Sequence, residues 1–161
     1  MIREASADDV GLILQLIREL AVYERDPDAV EATEELLHDA LFGPGAVASA
    51  LIAEHHGAPV GFALWFRNFS TWTGRPGVYL EDLFVRPDHR GDGHGRALLE
   101  ELARRCVAMG GGRLEWSVLD WNEPAIGFYR SLGATTMDDW TVHRLTGDAL
   151  LGLASVPAGE D

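Results

Sequence analysis

Ile13, Leu16, Ile17, Leu20 and Ala21 recur at helical spacing, which predicts a helix running to about Tyr23. Ser6 stands where its N-cap belongs, with Asp9 three residues on in the manner of a capping box. Residues 1–5, just before, read as a short strand. Thr33 followed by Glu34 and Glu35 opens a second helix, because carboxylates suit a helix N-terminus, and it should end before Gly43-Pro44-Gly45. The pattern then changes to that of strands. Residues 47–56 and 59–69, joined at Gly57, predict a hairpin, and residues 77–85 a third strand after the loop 70–76. Helical spacing returns from about Gly93, where Leu98, Leu99, Leu102, Ala103 and Cys106 share a face until Gly110-Gly111-Gly112. Residues 113–119 are expected to be a strand, 122–132 a short helix closed by Gly133, and 140–145 a last strand.

Helices and strands are interleaved, an antiparallel half preceding a strand–helix–strand unit. That order implies an α/β protein with a mixed sheet covered by helices. With 161 residues the chain fits one domain, expected to span 1–154, and is long enough to bury a core without disulfides or metal. The polar residues 155–161 are expected to fray as a flexible tail.

Charge narrows the partners. Thirteen basic residues, all arginine, face 26 acidic ones, a net charge of −13. Such a surface repels phosphate backbones and anionic lipid, so no nucleic-acid or membrane partner is expected. Arg3, Glu4, Asp8 and Asp9 occupy the place where a signal peptide needs an apolar run, which points to the cytoplasm. The single cysteine, Cys106, excludes an internal disulfide and a cysteine-based zinc site. The six histidines show no metal spacing along the chain, and adjacent His55 and His56 would face opposite ways in a strand, so no metal is expected.

The segment Arg90-Gly91-Asp92-Gly93-His94-Gly95-Arg96 lies between a predicted strand and a predicted helix. Glycines permit a tight turn with uncovered N–H groups, and a helix N-terminus adds partial positive charge; together they favour a diphosphate. No Gly-Lys-Ser/Thr follows, which excludes a Walker loop, and Arg96 or Leu98 takes the place of the last glycine of a dinucleotide fingerprint.

Arg90-x-x-Gly93-x-Gly95, following Glu81-Asp82-Leu83-Phe84-Val85, resembles the acetyl-coenzyme A motif of the GNAT acyltransferase superfamily. Residues 115–124 (Glu115-Trp116-Ser117 through Asn122-Glu123-Pro124), then Ala125-Ile126-Gly127-Phe128-Tyr129, resemble its spermidine/spermine (diamine) N-acetyltransferase branch, as does the pair Tyr23-Glu24. The resemblance implies a mostly antiparallel central sheet of six to seven strands flanked by about four helices, and a homodimer. It also implies that the backbone of Leu83, Phe84 and Val85 and the loop residues Arg90, Gly91, Asp92, Gly93, His94, Gly95 and Arg96 hold acetyl-coenzyme A. Asn122, Glu123, Pro124 and Ala125 would complete that cofactor site, although Asn122 is also placed as a helix N-cap.

Acetyl transfer to an amine needs the amine neutral, yet an alkyl ammonium of pKa ~10.4 is only about 0.04% neutral at pH 7. The resemblance makes Glu81 the general base, directly or through a water, and Tyr129 the group that supports charge leaving on sulfur. A phenol at ~10 facing a thiol at ~8.5 gives up its proton about 2 kcal/mol uphill, so hydrogen bonding to the sulfur is the more economical role. Tyr23, Glu24, Glu81, Asp82, Glu115, Trp116 and Ser117 match the substrate-binding positions, and carboxylates with aromatic faces suit a polycation. On a regular strand Glu81 and Asp82 point to opposite faces, so only one should enter the site unless the strand is bulged. Two departures stand out: His94 replaces the aliphatic residue usual in the loop, and the turn at 137–140 is about one residue short.

The expected activity is N-acetylation of a polyamine or diamine such as spermidine or spermine. The alternatives are acetylation of a lysine-like amino acid such as thialysine, modification of a protein, or a non-catalytic acyl-coenzyme A sensor. The joint presence of Glu81 and Tyr129 argues against the sensor.

Overall fold

The computed structural model describes residues 1–155 and turns most of these patterns into elements. Strand β1 (Ile2–Glu4) leads through a 3-10 turn into helix α1 (Val10–Tyr23). The Ser6 N–H donates to Asp9 Oδ2 at 2.8 Å, the backbone arm of the expected capping box, and the Ser6 hydroxyl donates to the same oxygen. Asp9 also receives Nη1 and Nη2 of Arg3 at 2.7 and 2.8 Å, while Arg3 Nε reaches Glu54 at 2.6 Å. Those bonds from Arg3 hold the Asp9 carboxyl down at about 2. Thr33 caps α2 (Glu34–Phe42) by accepting from the Leu36 N–H.

Four strands then order antiparallel as β1-β2-β3-β4, with β2 (Ser49–His55), β3 (Ala58–Ser70) and β4 (Arg75–Val85). His56 and Gly57, both at positive φ (49° and 81°), form the two-residue hairpin turn whose twist suits the flanking strands. Helix α3 (His94–Ala108) crosses to β5 (Leu114–Trp116), which pairs parallel to β4 at Val78–Leu80. The crossover supplies the parallel pair of the mixed sheet.

Leu64 lies opposite Asp82, whereas the next residue, Trp65, lies opposite Leu80. Glu81 is therefore an extra residue on β4, a β-bulge. Its effect appears in the core. Ala50, Ile52, Phe62, Leu64 and Phe84 form one apolar cluster with Val10, Ile13, Leu16 and Leu20 of α1 and Leu37 and Leu41 of α2. Leu51, Ala63, Trp65, Val78 and Leu80 are buried at the opposite alternation, the face that takes Leu98, Leu99, Leu102 and Cys106 of α3. Ile13 and Leu16 have no exposed surface, and burial of that extent stabilises by roughly 1.5–3 kcal/mol per side chain.

Residues from Met1 to Leu119 form one compact unit and the described residues from Asp120 on form another. The second contains α4 (Glu123–Ser131) and α5 (Gly147–Ala154). Asn122 Oδ1 accepts the Ala125 N–H at 3.4 Å, so the N-cap predicted from its position is present. The strand expected at 140–145 is not formed: Trp140, Val142 and Leu145 are 67, 83 and 46% exposed, and no ladder includes them among the described residues. The sheet thus has five strands where six to seven were expected, and α5 is an addition. Of the expected tail, 156–161 lie outside the described residues, while Ser155 caps the end of α5. Among the described residues no helix is long and apolar enough to cross a membrane.

Candidate active site

The turn at 90–96 connects the end of β4 to the first residues of α3. Gly91 and Gly93 have φ of 90° and 83°, a region in which a side chain is strained, and Gly93 is the N-cap of α3. A Cβ built on either glycine meets nothing within 4 Å, so the turn presents bare backbone to open space. The first-turn amides of α3 have no acceptor within the helix. A diphosphate therefore fits: an exposed backbone, a positive helix end and two nearby arginines. Arg90 donates Nε to the Val85 carbonyl at 2.9 Å and stacks its guanidinium 4.3 Å from the centroid of the Tyr23 ring. Arg96 is paired with Glu100 at 2.9 Å. Asp92, an anion in the same turn, is exposed and lies 4.0 Å from His89.

Behind the turn, Leu83, Phe84 and Val85 pair with Ala63, Phe62 and Gly61 of β3. The parallel ladder to β5 stops at Leu80 opposite Trp116, one residue before the bulge. Phe84 is buried, and Leu83 and Val85 are half-buried.

The bulge also answers the question of the two carboxylates. Asp82 is half-buried on the α1 face, and Glu81, the extra residue, is exposed. Desolvation pushes the Asp82 carboxyl up to about 6, with repulsion from Glu81 and then Glu24 adding to it. Glu24 caps the C-terminus of α1, and partial burial raises its own pKa. The structure thus brings Asp82 within electrostatic range of both Glu81 and Glu24 and gives Asp82 the poised carboxyl. Charge and spacing alone did not single out Asp82, because its desolvation depends on the bulge.

The other expected positions are more varied. Glu115 accepts from Asn68 Nδ2 at 3.1 Å and pairs with Arg113 at 3.0 Å, so its carboxylate is engaged within the sheet. Ser117 Oγ and Tyr79 Oη hydrogen-bond at 2.8 Å, and Trp116 ends β5 half-buried. In the second unit Tyr129 is half-buried on α4 with its ring 5.5 Å from that of Phe128, and Glu123, Pro124 and Ala125 form the first turn. His94, the departure in the glycine loop, turns its ring toward His55, Nε2 to Nδ1 at 3.3 Å.

The sequence matches the acetyltransferase (GNAT) family over residues 13–134. It is 41% identical to a thialysine N-epsilon-acetyltransferase of Bos taurus, with 96% of each chain covered. It is 34% identical to the spermidine/spermine N(1)-acetyltransferase-like protein 1 of Homo sapiens, over 95% of this chain and 23% of that protein. Among solved structures, an integron cassette protein from the mobile metagenome of V. cholerae superposes with a TM-score of 0.81 at 27% identity, covering 97% of this chain and 98% of that one. A mixed sheet with a glycine-rich turn opening its crossover helix, together with these matches, establishes that the chain belongs to the GNAT family of acetyltransferases, whose acyl donor is acetyl-coenzyme A.

Proposed function

We propose that this acetyltransferase modifies the terminal amine of a small lysine-like amino acid, with thialysine as the model acceptor. The observation that carries the chemistry is the trio Glu24, Glu81 and Asp82, with the Asp82 carboxyl raised to about 6. Carboxylates near one another attract an ammonium ion, and a base whose pKa lies near the working pH removes its proton most usefully. Asp82 or, through a water, Glu81 takes the proton, and the neutral amine attacks the acetyl carbonyl. The backbone of Leu83–Val85 orients the donor and polarises that carbonyl, the 90–96 turn holds its diphosphate, and Tyr129 hydrogen-bonds the departing sulfur. Asn122 divides its service between capping α4 and the donor.

Thialysine is preferred to spermidine because the resemblance to a thialysine enzyme is 41% identical over nearly the full length of both chains. Polyamine acetylation is the second reading, favoured by the same acidic trio and by the similarity to the spermidine/spermine-like protein. The family match runs across the boundary at Leu119, which supports one acetyltransferase domain over 1–154. A cytoplasmic homodimer completes the proposal.

The test is thiol release from acetyl-coenzyme A with thialysine, lysine, spermidine, spermine and putrescine. The reading predicts the highest kcat/KM for thialysine. A higher value for spermidine or spermine would transfer the assignment to polyamines, and donor binding without release on any amine would favour the sensor.

A further inference from the structure

Three histidines and an aspartate that are scattered along the chain meet beside the glycine-rich turn. His55 ends β2, set there by the two-residue turn at His56-Gly57. His89 lies in the 3-10 turn after β4, Asp92 sits between Gly91 and Gly93, and His94 begins α3. One ligand atom from each can be chosen such that all four lie within 4.8 Å of one another. His94 Nε2 and His55 Nδ1 are 3.3 Å apart, and His89 Nδ1 is 4.0 Å from Asp92 Oδ2. The His55 ring centroid is 5.2 Å from that of His89 and 5.3 Å from that of His94.

We infer that His55, His89, Asp92 and His94 form a binding site for a divalent cation of borderline softness, Zn2+ above all. A tetrahedral zinc with bonds of about 2.0–2.1 Å holds its ligand atoms about 3.3–3.4 Å apart. The His55–His94 pair already has that separation, and the His89–Asp92 pair closes to it by well under 1 Å of side-chain movement. Three imidazoles and one carboxylate suit zinc, cobalt or nickel and are poor ligands for magnesium or calcium, which prefer oxygen throughout. The net charge of −13 adds a general attraction for cations.

Four protein ligands leave no open position, so the site is structural: the ion ties the end of β2 to the turn that opens α3. The inference does not depend on which amine is acetylated.

The test uses tag-free full-length protein stripped with chelator, titrated calorimetrically with zinc chloride and, separately, with cobalt(II) chloride observed by visible absorption. One equivalent of zinc should bind with micromolar or tighter affinity, the cobalt protein should show the strong visible bands of a tetrahedral ion, and zinc should raise Tm. His55→Ala and His89→Ala should each weaken zinc binding about a hundredfold or more, with His55→Gln as a milder version and circular dichroism confirming the fold. A His38→Ala/His143→Ala double variant should bind like the parent. Undiminished binding in His55→Ala and His89→Ala, loss in the His38/His143 variant, an octahedral cobalt spectrum, or no uptake at all would each overturn the site.

Discussion

Glu19 receives both Nε and Nη2 of Arg86, each at 2.9 Å, while Nη1 of the same guanidinium donates to the Pro59 carbonyl at 3.0 Å. This fork joins the middle of α1 to the residue that follows β4, just before the glycine-rich turn. Bidentate pairing is the strongest form of surface ion pair, and it lowers the Glu19 pKa, chiefly through the Arg86 hydrogen bonds. A depressed carboxyl stabilises the fold above the usual glutamate range and stops doing so as pH falls through the folded value. Glu19→Gln is expected to cost about 1 kcal/mol at pH 7. Urea unfolding of the two proteins should differ at pH 7 and converge as the pH falls below the usual glutamate range.

Asp82 gives the opposite sign. Its folded pKa of about 6 lies above the ordinary aspartate value of 3.8, so its protonated form is the one favoured by folding. The contribution is complete below about pH 4 and is lost as pH rises through 6. Asp82→Asn should stabilise the protein at pH 8 by roughly 2 kcal/mol and leave it unchanged at pH 4. The same substitution should lower kcat about a hundredfold or more and remove an acid limb centred near pH 6. A stability gain with undiminished turnover would leave Asp82 as an electrostatic neighbour of the amine and return the proton transfer to Glu81.

Gly93 caps α3 at a φ of 83°. Gly93→Ala places a side chain in a strained backbone region and should cost about 1–2 kcal/mol. If the turn distorts, the KM for acetyl-coenzyme A should rise about tenfold while kcat at saturation changes little, since the amides serve binding. Steady-state kinetics at saturating amine separates the two constants.

Tyr129→Phe should leave Tm within about 1 °C and lower kcat about a hundredfold or more, with a smaller effect on the KM of either substrate. Turnover near that of the parent at saturation would exclude a role at the sulfur.

What the sequence revealed followed the range of the physical signal. Helices α1 and α3 were legible because Ile13, Leu16 and Leu20, or Leu98, Leu99 and Leu102, repeat within a few residues of one another. The caps at Thr33 and Asn122 were equally local. The glycine turn was visible as a turn, and its proposal as a donor site rests on the company of Glu81–Val85. Residues 140–145 misled because apolar residues at strand-like spacing state only a capacity to pair; a strand also needs a neighbour, and among the described residues no ladder includes 140–145. The meeting of His55 with His89, Asp92 and His94 was illegible for a related reason. The hairpin turn and the crossover bring them together across sequence-distant elements, and no spacing along the chain encodes it.

The extra residue in β4 has one more consequence. Val78 and Leu80 look toward α3, whereas Asp82 and Phe84, although still even-numbered, look toward α1 and α2. The count of residues between Leu80 and Phe84 is therefore as constrained as their chemistry. Keeping that count without the bulge would restore strict alternation and send both the poised acid and the aromatic anchor to the wrong layer, so a chain that loses the bulge has to lose one residue with it.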